Sequence, residues 1–188
     1  MKRILPAMIG IMMMALGSAA QQAPDKVDKA EQEDSMKDCP MHEQHQASAA
    51  HDHAKHELDK RGNQGMGFAQ DKITHHFVLR KDGGAIQVTA NSADDKTSKE
   101  EIQMHLHHIT QAFKSGDFNI PMFVHDQTPP GVGTMTKLKD QIQYKYESAA
   151  NGGRVVISSA NAEAVAAIHE FLKFQITEHK TGDALEVK

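Results

Sequence analysis

Cys39 is the only cysteine in the 188-residue chain. No disulfide within the chain can therefore staple the fold, and stability has to come from an ordinary apolar core. Basic residues are outnumbered by acidic ones, 21 to 25, which argues against a surface built to hold nucleic-acid phosphates. A long apolar run is missing too. The stretch from Ile4 to Leu16 is short and broken by Pro6 and Gly10, so it does not read as a membrane span. There is no Gly-x-Ser-x-Gly elbow to present a nucleophile, and Ser/His/Asp or Cys/His triads lack a residue in a suitable context. The paired glycines of KDGG and NGG sit inside hairpin patterns rather than at strand-to-helix turns, which excludes a phosphate-cradling loop.

What is present begins with MKRILPAMIGIMMMALGSAAQQAP. Lys2 and Arg3 precede the apolar run, and Ser18-Ala19-Ala20 supplies the small residues of a cleavage site, so residues 1–20 read as a signal peptide. No cysteine stands where a lipid-anchored precursor would need one. The expectation is a periplasmic or secreted protein starting near Gln21, with no membrane span after signal cleavage; an uncleaved N-terminal anchor is the alternative. The mature chain would keep 19 basic residues against 25 acidic ones, a formal charge of −6.

Composition divides the rest near Gly67. In residues 21–66, Val27 and Leu58 stand almost alone among polar residues, too few to offset the entropy cost of ordering. This segment reads as a disordered arm with nascent helix around Ala47 to Lys60, and the glycines of RGNQGMGF read as a hinge. Residues 67–188 read as one domain. THHFVLR and AIQVTA flank KDGG as two strands of a hairpin, with Asp82-Gly83-Gly84 expected to supply positive φ. TSKEEIQMHLHHITQAFKSGD follows as a helix, with Thr97 or Ser98 as N-cap, Ile102, Leu106, Ile109 and Phe113 as its stripe, and Gly116 as its end. The same order recurs. IQYKYESAANGGRVVISS is a second hairpin, and a helix begins after Asn161 with Val165, Ile168, Leu172 and Ile176 as its stripe. Two ββα units imply an α+β fold: a four-stranded antiparallel sheet with two helices on one face. The long connection FNIPMFVHDQTPPGVGTMTKLKD exceeds a turn and is a place for function.

The arm concentrates ligand atoms. CPMHEQHQASAAHDHAKHE, residues 39–57, holds Cys39, Met41, His42, His45, His51, His53 and His56. Thiolate and thioether suit Cu(I), whereas closely spaced imidazoles suit Cu(II), Ni(II) or Zn(II). CPMH also resembles the opening of the small heavy-metal-binding domains of copper-efflux proteins. That resemblance covers four residues and implies Cys39, Met41 and His42 as ligands; Lys37-Asp38 before it and Glu43 after it depart from the pattern.

A second set lies in the domain. His105 falls on the apolar stripe of its helix with His108 at the border, and His107 and Met104 fall outside. His169 and His179 point inward from the second helix, one of His75 and His76 faces the core layer, and His125 sits in the long connection before Asp126. A lone inward histidine is usually a hydrogen-bonded core residue, but several facing one interior must pair with each other, with carboxylates or with a metal. Left without partners, each would cost about 1–3 kcal/mol.

GFAQDKITHHFVLRKDGGAIQV, MHLHHI, GDFNIPMFVHDQTPPGV and AIHEFLKFQITEHKTGD together resemble a group of small exported bacterial proteins commonly labelled aspartate carbamoyltransferase. The resemblance covers nearly all of residues 66–184 and places His75, His76, His105, His108, His125, His169 and His179 in its recognisable stretches. Carbamoyltransferase activity is not expected, because the Ser-Thr-Arg-Thr phosphate loop and the much longer two-domain chain of those enzymes are absent. The expectation is an exported metal-binding protein that handles copper through its arm, with zinc or nickel as other candidate ions and a second histidine site in the domain. A haem-binding protein and a metal-dependent periplasmic enzyme are the alternatives.

Overall fold

Alternating apolar and polar residues pair into two hairpins of equal length. In the structure, a computed structural model that describes residues 56–187, β1 (Ile73–Arg80) pairs with β2 (Gly83–Ala90), and β3 (Ile142–Ala149) with β4 (Gly152–Ser159). Residues 1–55, on which the expected signal peptide and most of the expected arm fall, lie outside the described residues. Strands β2 and β4 join the hairpins antiparallel, giving the order β1-β2-β4-β3. The register is symmetric. Gly83 opposes Ser158 and Gly152 opposes Thr89, which is one pairing carried by the repeat onto itself.

The chain then crosses over. Helix α2 (Lys96–Ser115) follows the first hairpin but packs chiefly on β3 and β4, while α5 (Ala162–His179) follows the second and packs chiefly on β1 and β2. Each helix thus covers the other unit's hairpin, and both lie on the sheet face carrying Phe77, Leu79, Ile86, Val88, Val155 and Ile157. Two paired glycines make this possible. Gly83 and Gly152 have φ of 142° and 154°, and a Cβ on either would strike a backbone carbonyl of the facing strand, Ile157 O or Val88 O. The following glycines, Gly84 and Gly153, keep negative φ and serve packing instead, leaving room for Leu172 of α5 and for Tyr146 and Leu106 of α2. Positive φ therefore sits on one glycine of each hairpin rather than across Asp82-Gly83-Gly84.

Helix ends follow local chemistry with one shift. Asp95, not Thr97 or Ser98, caps α2: its carboxylate accepts from Ser98 N at 3.0 Å and Ser98 Oγ at 2.8 Å, and a charged acceptor outcompetes a hydroxyl for the exposed amides. Gly116, at φ 86°, ends the helix as expected. Asn161 caps α5 through Glu163 N and Ala164 N. The buried stripe of α5 runs through Ala164, Ala167, Ile168, Phe171, Leu172, Gln175 and Ile176, which leaves Val165 at its border.

The long connection folds into α3 (Asn119–His125) and α4 (Val132–Lys137). Helical backbone over residues 56–66, α1, docks against α3. Leu58 is buried, Arg61 Nε donates to Val124 O at 2.8 Å, and Gly65 lets α1 approach the Phe123 and Val124 side chains. Ordered packing therefore begins ahead of Gly67, because one leucine and one arginine find partners that composition does not reveal. No helix among the described residues is long and apolar enough to cross a membrane.

The glycine argument sets a contrast. Gly152→Ala should lower unfolding free energy by about 2–4 kcal/mol, through positive φ and a carbonyl clash. Gly133→Ala in α4 meets open space and should change it by less than about 1 kcal/mol, on the stabilising side. Urea unfolding of both variants checks the pair.

Candidate functional site

Between the sheet and its helices lies a cavity of about 70 Å³ whose wall is mostly apolar: Phe77, Ile86, Val88, Leu106, Phe113 and Phe171 contribute. Four imidazoles join that wall, one from each of four elements: His75 (β1), His105 (α2), His125 (α3) and His179 (α5), with Met66 and Gln175 beside them. The alternation of β1 places His75 inward and sends His76 to the other face. There His76 Nδ1 meets Asp183 Oδ1 at 3.0 Å, outside the cluster.

The rings contact one another. His179 stacks on His75 with centroids 5.4 Å apart and stands perpendicular to His125 at 5.0 Å. His105 presents a T-shaped contact to Phe68 and lies close enough to His75 and His108 to feel both. Burial, and then neighbouring imidazoles, hold these rings neutral. His75 and His105 are pushed down to about 4, His179 to about 3, and His125 is lowered mainly by desolvation. Neutral imidazole keeps a lone pair, the form in which histidine ligates metals.

His125 is the most enclosed of the four. Its side chain is 1% exposed, and its Nε2 donates to Gln175 Oε1 at 2.9 Å. The other nitrogen, Nδ1, has no hydrogen-bond partner; Glu178 Oε2 lies 4.0 Å away. Gln175 Nε2 is likewise buried and unpaired. On the far side of the His75–His179 stack opens a polar groove of about 300 Å³, lined by Asp59, Gln70, Thr74, Glu178, Lys180 and Thr181. The two rings separate the apolar cavity from this groove.

The remaining histidines do not join. His169 Nε2 lies 2.8 Å from Arg80 O and 3.0 Å from Gly83 O, so it ties α5 to the first hairpin turn rather than facing the cavity. His107 and His108 are exposed on α2, and His56 is exposed at the start of the described residues. Cys39, Met41, His42, His45, His51 and His53 lie outside them. Among the described residues, no three His, Cys, Asp or Glu side chains are grouped so as to hold a metal ion.

Met66, Gln175 and Glu178 were not among the sequence candidates. Gln175 carried a signal, since it falls one turn before His179 and one after Phe171 on an otherwise apolar stripe. Met66 is hidden in the glycine-rich stretch. No family model, curated protein or solved structure matches the chain.

These neutral imidazoles, one buried and three half-buried, make stability depend on pH. Above pH 6.5 these rings are neutral whether the chain is folded or not. Below it, the unfolded chain takes up protons that the folded one refuses until about 4 at His75 and His105 and about 3 at His179. Unfolding free energy should therefore fall as pH drops from 6.5 towards 4, by about 1.4 kcal/mol per pH unit for each refused proton. Urea melts should show that slope, and His179→Leu should reduce it by about one proton. A flat profile in both proteins would contradict the neutral cluster.

Proposed function

We propose that the protein is an exported copper-handling protein, in which the 39–57 segment captures the ion and the imidazole-lined cavity of the domain forms a second site. The observation that carries the reading is the convergence of His75, His105, His125 and His179 on one cavity, with Met66 in its wall and the Met66 sulfur accepting from Gln70 Nε2 at 3.5 Å. Neutral imidazole and thioether in an apolar wall are the donors that copper prefers, Cu(I) above all. The cluster could otherwise be no more than a set of core rings. Its cost argues against that: four imidazoles and a glutamine in a small core, with His125 Nδ1 and Gln175 Nε2 unpaired, lower stability without structural return. Binding would require a ring of the His75–His179 stack to turn, since among the described residues no three His, Cys, Asp or Glu donors are grouped to hold an ion.

Export and the arm's role rest on the sequence. Cys39, Met41 and five histidines in nineteen residues form a ligand-dense stretch suited to capture from dilute solution. A metal-dependent enzyme would need an open coordination position and a general base beside the cavity, and no reaction is derived from this wall.

Copper titration of the full chain tests the division of labour. Replacing Cys39, Met41, His42, His45, His51 and His53 together should remove most of the bound copper while leaving the melting temperature of the metal-free protein unchanged. The remainder should disappear on adding His125→Leu and His179→Leu. Equal stoichiometry in the parent and the arm-substituted protein would refute the capture role.

A further inference from the structure

The clearest opening for a ligand is the gap between His125 and Glu178. His125 is fixed on α3 and enclosed, and Gln175 accepts its Nε2 proton, which leaves the Nδ1 lone pair bare and buried. That nitrogen faces Glu178 Oε2 at 4.0 Å. The separation is too long for a hydrogen bond and a little wider than the roughly 3.3–3.6 Å between two ligands of a tetrahedral ion, so a small inward shift of the part-exposed Glu178 carboxylate would bring both groups onto one metal. Both Gln175 and Glu178 lie on the last turns of the eighteen-residue α5, whose C-terminal end carries the negative pole of the helix. His179 follows directly, with its ring perpendicular to that of His125 at 5.0 Å.

We propose that this gap is the seat of a divalent transition-metal ion, Cu²⁺ or Zn²⁺, with His125 Nδ1 and Glu178 as its first ligands and His179 as the ring that turns to join them. The ion sits at the junction of cavity and groove. A carboxylate beside imidazole favours a divalent ion here, whereas Met66 lines the cavity wall. Gln175 is a positioning residue: by accepting from Nε2 it sets the tautomer and ring orientation that present Nδ1, as the outer hydrogen bonds of ligating histidines do. Opposing charge is close but occupied, since Arg61 acts on His125 while its Nε is held by Val124 O. Lys180 lines the groove beyond Glu178.

The seat rests on the reading that the domain takes up metal, and one experiment separates the two. The full-length protein is made with Cys39→Ser, Met41→Leu and each of His42, His45, His51, His53 and His56 replaced by Asn, so that the arm is silent. Zn²⁺ titration by calorimetry should then find one ion per chain. Glu178→Gln, at a side chain 37% exposed, should weaken that binding at least about tenfold and abolish the Zn²⁺-induced rise in melting temperature, while the metal-free melting temperature stays put. Gln175→Leu should weaken binding by about 10- to 100-fold, and Gln175→Glu, which still accepts from Nε2, should restore it. One ion bound equally well by the parent and by Glu178→Gln would overturn the seat and leave the imidazole cluster standing. No Zn²⁺ binding in the arm-silent parent would overturn the seat, and no Cu(I) binding in a parallel titration of the same protein would overturn the copper reading of the domain as well.

Discussion

Neither ββα unit can close its own apolar face. The structure depends on the exchange that solves this, with α2 lying over β3 and β4 and α5 over β1 and β2. Because each helix completes the other unit's hairpin, sheet, core and cavity form together or not at all. The β2–β4 seam is the hinge of that arrangement, and the carbonyls that Gly83 and Gly152 admit lie along it. Side chains at those two positions would push the central strands apart, and with them the two halves of the histidine cluster.

The exchange also explains why four imidazoles from distant parts of the chain share one wall. His75 enters from a strand of the first unit, His105 from its helix, His179 from the helix of the second unit and His125 from the connection between units. In a sandwich with separate halves these residues would line two surfaces. Here they line one interior, and desolvation holds them neutral within it. The histidines that fall outside the cluster have other work: His169 ties a turn, and His76 meets Asp183 on the opposite face of the sheet.

Much of this was legible in the sequence, because strand and helix periods are local properties. The four strands, the two long helices, Gly116 as a terminator and the inward direction of His75 or its neighbour all follow from alternation, capping and turn chemistry over a few residues. Three long-range features did not. The exchange of helices leaves no mark on either unit, the docking of residues 56–66 turns on Leu58 and Arg61 finding α3, and the pairing of His125 with Gln175 joins residues fifty positions apart. Helical phase alone also put His169 with His179, since it says that a ring points inward but not which part of the interior it reaches.

Asp183 has a consequence for self-association. Its carboxylate takes the amide of Phe77 at 2.8 Å, near the middle of edge strand β1, and holds His76 as well. An incoming strand would have to displace that carboxylate to pair there, so β1 is a poor template for a second copy. The other edge, β3, carries Lys145 and Glu147 on its outer face, and copies that met through it would do so antiparallel about a two-fold axis. Growth would stop at two. A sheet with one edge blocked can pair through the other edge but cannot grow edge to edge into an open-ended fibre.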